Sequence, residues 1–325
     1  MKQERPRLQH YVPQLLLRQF AGAEGKLWAY DTEKRKMFAA GPKGLAAEGY
    51  FYGPTTKHAT KESTAIERWL AVAIERPGAE AISALLAKQK LSAEQARAFF
   101  TFVAAQMQRT PASLQRATDS FAATFQETAE RMAKYDPTFR KNVIAEVKAS
   151  GATDEELSEF VQMLDGAKFT TTPTREFAIW AGFSVLDLIA GELLKMKWTF
   201  LDVHQTDGDL IIGDHPVTLT DVAPEGVPAG PLGVKNPNIE IAMPISRRMV
   251  ALAHWDGPIS YGSLVGGMSD MLNERTLRHA QRFAYASFES KELLERAIAL
   301  RGTGPKVRTH RVQIGEKLVM WSEYS

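Results

Sequence analysis

Three segments of this chain carry side chains suited to acid–base chemistry or to holding an anion. The first, Arg7-Leu8-Gln9-His10-Tyr11-Val12-Pro13-Gln14-Leu15-Leu16-Leu17-Arg18, sets His10, Gln14 and Arg18 beside a short apolar run. The second, Gln106-Met107-Gln108-Arg109-Thr110-Pro111, holds Gln106 and Arg109 near the end of a helical pattern. The third, Gly213-Asp214-His215-Pro216-Val217, places Asp214 and His215 between two apolar stretches. Polar groups near a core cost free energy unless something pairs with them. Each segment therefore calls for a partner or a ligand.

Gln14 and Arg18 are four residues apart and Gln106 and Arg109 three apart, so each pair shares a helix face. A guanidinium fork makes two parallel hydrogen bonds to phosphate or carboxylate, and two forks in one place suit such an anion. The competing reading is an internal network in which Arg18 and Arg109 pair with Glu67, Glu75 or Asp214. Only histidine titrates near neutrality without help, so His10 is the candidate general acid or base. Asp214 is the candidate to orient His10 or bind an ion; its competing role is to stabilise a turn. Glu67 and Glu75 lie eight residues apart, about 80° around an ideal helix, and could share acid and base duties or sit on a solvated face.

Several chemistries are excluded. There is no cysteine, hence no disulfide, thiolate nucleophile or zinc–thiolate site. No glycine-rich dinucleotide or P-loop motif and no Gly-x-Ser-x-Gly elbow occurs. None of the seven histidines is spaced as a dense metal motif, so no metal ligands are assigned, and a divalent ion stays open as a cofactor. Forty basic against thirty-eight acidic side chains leave a net charge of +2, too small for a wholesale polyanion binder.

Taken together, the three segments resemble the signature of the bacterial domain of unknown function 4238 family: His-Tyr-Val-Pro, then Gln-x-x-Arg-Thr-Pro, then Asp-(Asn/His)-Pro-Val. The resemblance implies glutamates on the helix that carries Glu67 and Glu75. It also implies an Asn-x(6)-Ala-x-Arg pattern, matched by Asn273, Ala280 and Arg282. It brings no assigned reaction. Because the family accepts Asn where His215 stands, an essential acid–base role for His215 is disfavoured, while Asp214 is untouched by that argument.

The elements that must position these residues follow from periodicity and end signals. Helices are expected from Pro13 to about Phe20, over Lys61 to Lys88 with a break at Pro77-Gly78, from a capping box at Ser92 to near Arg109, and from Pro111 past Phe125. A second box at Thr153 and a Thr172-Pro173 step announce two more, the latter running from about Arg175 to Met196. The run Phe177 to Leu186 is too short and interrupted for a membrane span and is read as a buried helix. Trp28, Trp69, Trp180, Trp198 and Trp255 are read as core. Lys26 to Asp31 alternates like a strand, ahead of a turn-rich stretch to Gly44. After Trp198 the pattern turns to strands, with a hairpin about Thr206-Asp207-Gly208-Asp209 and further strands at 217–220, 239–242 and 249–255. Helices are expected again over 273–287 and 290–300, then β structure over 307–324. The intervening 222–238 reads as a long loop.

The fold is accordingly expected to be α+β: a mainly helical part over 1–197 packed on a β-rich part over 198–325, sharing one core. The expected site is a cleft in which His10, Asp214 and Arg109 are catalytic and Gln14, Arg18, Gln106, His215 and Asn273 bind substrate. The leading expectation is a cytoplasmic phosphodiester or nucleotide hydrolase, in its narrowest form a nuclease of stress or phage defence. The alternatives are a non-catalytic module that senses a nucleotide or another small anion, and a structural network without a ligand. Partners are an anionic small molecule or nucleic acid, and no membrane.

Overall fold

The computed structural model describes residues 8–52, 65–166, 169–204, 207–225, 230, 232–256, 260–304, 307–314 and 317–324, with the side chains of 120, 123 and 307–324 left aside. The chain is α+β. It forms two compact units, one of residues 1–114 with 179–325 and one of residues 115–178.

In the larger unit the chain begins with β1 (Leu8–His10), whose partner is β4 (Ala47–Gly49), and a one-turn helix α1 (Gln14–Arg18). β2 (Leu27–Asp31) and β3 (Lys36–Ala40) form a hairpin, so the stretch expected to be turn-rich holds a strand. The helix expected over 61–88 is α2 (Ala65–Trp69), a π-helical turn at Leu70–Glu75, and α3 (Arg76–Leu86); residues 61–64 lie outside the described residues. The break expected at Pro77-Gly78 does not occur: α3 runs through both residues, with Pro77 in its first turn, where a missing N–H is tolerated. α4 (Ala93–Gln108) starts at the Ser92 capping box and stops before Thr110-Pro111, as the proline dictates. Its buried face packs on α3 and on α9 (Leu186–Lys195), and Phe99 meets Trp198 edge to face at 5.6 Å.

Strands follow. β5 (Lys197–Asp202), β7 (Thr218–Asp221), β8 (Ile239–Ser246), β9 (Met249–His254) and β10 (Ser260–Ser263) form a five-stranded sheet in the order β10-β5-β9-β8-β7. β11 (Phe283–Ala286) sits between β2 and β6 (Ile212–Gly213) in a four-stranded sheet, β3-β2-β11-β6. Residues from both ends of the sequence thus share this second sheet.

Three expectations are corrected here. β5 and β6 do not form a hairpin, because β5 pairs with β9 and β10 while β6 pairs with β11. The Asp209 carboxylate is tied to Arg247, Arg248 and Ser287, which leads the chain away from β5. Of that turn, Thr206 lies outside the described residues. The helix expected over 273–287 is α10 (Met268–His279), and β11 replaces its second half. The apolar helix expected over 175–196 breaks at Val185 into α8 (Arg175–Ser184) and α9, and it is buried on one face only: Ile179, Leu186 and Leu193 are buried, while Trp180 and Leu188 are exposed, as is Trp69. By length and apolarity the stretch Arg175–Lys195 could cross a membrane, and 28% of its window is buried.

The C-terminal residues form α11 (Lys291–Leu300), capped by Ser290, and a hairpin of β12 (Val307–Ile314) with β13 (Lys317–Tyr324). The smaller unit contains most of α5 (Pro111–Tyr135), then α6 (Pro137–Ala149) and α7 (Asp154–Asp165). Within it Asp136 caps α6, Thr153 forms the expected box on α7, and Phe177 packs between Phe121 and Phe125.

Candidate functional site

Arg109 follows the last turn of α4 with its guanidinium wholly buried, at 1% exposure. Its Nη2 donates to the backbone carbonyl of His10 at 2.5 Å, its Nε to the Tyr52 hydroxyl at 2.8 Å and its Nη1 to Glu75 Oε1 at 2.7 Å. The Tyr52 hydroxyl in turn donates to the same His10 carbonyl at 2.9 Å. Burial opposes the charge on Arg109, but Tyr52 and Glu75 outweigh it and hold the guanidinium protonated. Burial also pushes the Tyr52 hydroxyl up to about 12. Of the two readings open for Arg109, the internal network accounts for all three guanidinium nitrogens. Its place is to position β1 and Glu75.

The neighbouring Thr110 meets His215, whose Nδ1 lies 2.8 Å from Thr110 Oγ1. Counting protons orients this chain of hydroxyls. Ser113 spends its hydrogen on the Met107 carbonyl at 2.5 Å, so Thr110 must donate to Ser113 Oγ at 2.8 Å. Thr110 is then an acceptor toward His215, and His215 carries its proton on Nδ1. Asp214 next to it is buried and accepts backbone N–H bonds from Gln281, Arg282 and Phe283 at 2.7–2.8 Å. Burial raises its pKa, and those N–H donors pull back only partly. It stabilises the turn into β11, and the ring of His10 is oriented by another group.

That group is the Lys43 carbonyl, 3.2 Å from His10 Nε2. A carbonyl only accepts, so Nε2 carries the hydrogen and the lone pair of the neutral ring is on Nδ1. Burial lowers the His10 pKa below 6.5, opposed by the Lys43 carbonyl and Glu75 and reinforced by Arg109. The ring is therefore a neutral base at pH 7. It lines a cleft of 390 Å³ together with Gln14, Arg18, Glu67, Glu75, Arg76 and Arg109. α1 presents Gln14 and Arg18 on one face as their spacing requires, and Arg18 Nη2 donates to Gln14 Oε1 at 3.3 Å. Arg18 is exposed, and Arg76 has Glu80 at 3.9 Å as its ion-pair partner.

The π turn explains how both glutamates reach this cleft. It accommodates one extra residue, so the eight-residue separation behaves like seven in an α-helix, about 700° and within about 20° of two full turns. The 80° offset expected from a regular helix is removed.

The remaining candidates lie elsewhere. Gln106 is fully buried on α4, and neither amide atom has a hydrogen-bond partner among the described residues. Asn273, in the middle of α10, accepts from Ile211 N at 2.9 Å and donates to the Asp209 carbonyl at 3.0 Å, clamping the approach to β6. Asp214, His215, Gln106 and Asn273 are thus not among the residues that line the His10 cleft. Among the described residues, no group of three or more histidine, aspartate or glutamate side chains is arranged to hold a metal ion. Sequence reasoning missed Tyr52, Lys43 and Arg76. Lys43 contributes a backbone carbonyl, which no residue type announces.

These features define a class: an α+β protein in which a buried arginine clasps an N-terminal strand beside a polar cleft. The chain belongs to the family described as "Protein of unknown function (DUF4238)", whose model matches residues 8–290 and so takes in the His-Tyr-Val-Pro, Gln-x-x-Arg-Thr-Pro and Asp-His-Pro-Val motifs. No curated protein and no solved structure matches it.

Proposed function

We propose that the His10 cleft binds a small phosphate-bearing molecule and hydrolyses it, the substrates being phosphodiesters or nucleotides. The observation that carries this reading is a neutral, backbone-anchored imidazole in the same cleft as the exposed fork of Arg18. Arg18 with Arg76 takes the phosphate oxygens, and His10 Nδ1 accepts the proton of the attacking water. Glu67 is the candidate to return a proton to the leaving oxygen. Glu75 and Arg109 are positioning residues. At 390 Å³ the cleft falls in the range of small-molecule sites, about 300–1,000 Å³, which favours a nucleotide over a duplex. A nuclease of stress or phage defence, working in the cytoplasm, is the narrower form of the same proposal.

The test is hydrolysis of bis(p-nitrophenyl) phosphate and of a panel of linear and cyclic nucleotides by the purified chain. His10→Ala should lower turnover by about 10²–10⁴; unchanged turnover removes His10 from the mechanism. A second reading is a nucleotide sensor, favoured by the internal commitment of Arg109, which leaves few cations to stabilise a transition state. Calorimetry showing tight binding with no product, undiminished in His10→Ala, selects it.

A further inference from the structure

A larger cavity, 810 Å³, opens between α10, α11 and the β7–β8 edge of the five-stranded sheet. None of its walls belongs to the His10 cleft. Its lining is mostly carbon, with Val222, Met271 and Leu272 on the wall. Met271 is 58% and Val222 49% exposed, large apolar side chains left in water on one cavity.

The charged groups divide into a spent pair and an unspent one. In the floor, Arg275 pairs with Glu240 and donates to the carbonyls of Thr218 and Glu240 at 2.9 Å. His254 Nε2 lies 3.1 Å from the other oxygen of Glu240. Those charges are committed to each other. At the rim, the single carboxylate of Glu274 faces both Arg278, at 2.6 Å, and Arg296, at 3.8 Å. Arg278 has the short contacts and also reaches Thr303. Arg296 makes only the long one and no hydrogen bond among the described residues. Two guanidinium groups therefore share one carboxylate, with a fork left over beside an apolar wall. The other acidic group, Asp270, sits in the first turn of α10, about 12 Å along the helix from Arg278, and does not neutralise this end.

We propose that this cavity is a second binding site, for a small organic acid whose carboxylate enters the Arg296 fork and whose hydrocarbon body lies on Met271 and Val222. An apolar pocket with a few convergent polar groups is the usual form of a small-molecule site, and a planar fork matches a carboxylate in two hydrogen bonds. The inference does not depend on the reading of the His10 cleft.

The test is calorimetric titration of the full chain with dodecanoate below its micelle concentration, with dodecanol (same body, no charge) and acetate (same head, no body) as comparisons. Dodecanoate should bind at one site, with dodecanol and acetate at least about tenfold weaker. Arg296→Gln should weaken dodecanoate about tenfold without moving the melting temperature, since Arg296 makes no hydrogen bond to lose. Met271→Glu, at an exposed position, should abolish binding in a folded chain. Equal binding of dodecanol, full affinity in Arg296→Gln, or no binding of dodecanoate overturns the proposal.

Discussion

Arg109 Nη2 donates to the carbonyl oxygen of His10 across 2.5 Å, so the residue with the most reactive side chain of the cleft is held by its backbone. The arginine makes its hydrogen bond to the backbone and not to the imidazole, and so fixes the strand that carries the ring. The same guanidinium holds Glu75 on the other wall. Three acceptors from three separate segments converge on one buried cation, and the geometry of the cleft follows from that convergence.

Arg109→Ala should therefore cost about 3–5 kcal/mol, because it empties a fully buried site, leaves the half-buried Glu75 without its cation and takes one of two donors from the His10 carbonyl. Arg109→Lys should recover little, since a point-like ammonium cannot serve three acceptors in a planar array. Urea denaturation measures both. The double variant Arg109→Ala with Glu75→Gln should lose less than the sum of the single losses. Strict additivity would mean that the pair is not coupled.

The pH response of His10 has a definite sign. Its folded pKa lies below 6.5, so the folded state prefers the neutral ring more than the unfolded chain does. Its stabilising contribution is complete above pH 6.5 and is lost as pH falls toward the folded value. Asp214 has the opposite sign: its folded pKa is raised above 3.8, so its contribution is complete below that value and is lost as pH rises through the folded one. Following the His10 ring protons by NMR should give a midpoint below 6.5. A midpoint above 6.5 would mean that the carbonyl and Glu75 outweigh burial. If the hydrolase reading holds, turnover should fall on the acid side of the same midpoint.

Much of the fold was legible because it is local. Ser92 and Thr153 each cap a helix as their boxes foretold, and Thr110-Pro111 ends one helix and starts the next. The failures are non-local. Whether β5 turns back on β6 or runs beside β9 depends on where Asp209 finds its arginines, forty residues downstream in rough terms. Trp180 is exposed although its own segment is apolar, because burial is decided by what packs on a helix and not by its composition. In the cleft, Gln14 and Arg18 share a face as their four-residue spacing requires, whereas His10 on β1 and Arg109 at the end of α4 join them through tertiary contacts that no spacing announces. The π turn that brings Glu67 round to them has no signature in residue type.

Gln106 offers a separate test of what the second motif is for. Its amide is buried with no hydrogen-bond partner among the described residues, and such a group costs about 1–3 kcal/mol. Gln106→Leu, close in size, should raise the melting temperature. A fall would show that the amide is satisfied in the protein in solution, and a rise accompanied by lost turnover would mark it as functional despite its burial.

The last prediction concerns the third motif, where the resemblance drawn from the sequence implies either histidine or asparagine at position 215. The hydrogen-bond chain through Ser113 and Thr110 demands a donor from residue 215 on a nitrogen attached at the γ position. Histidine supplies Nδ1–H, and asparagine supplies its amide nitrogen from the same branching point. His215→Asn should therefore fold with nearly wild-type stability. His215→Gln, whose amide is one carbon further out, and His215→Leu, which has none, should each take from Thr110 Oγ1 the shorter of its two donors, leaving only the Ser113 N–H at 3.3 Å, and cost about 1 kcal/mol. Thr110→Val also loses the two bonds to Ser113 and should cost more, and adding His215→Leu to it should cost little further, because the bond between the two residues is already gone. Melting curves of the five chains decide it. If His215→Asn were as damaging as His215→Leu, the donor requirement would be wrong and the imidazole itself would be what the position demands.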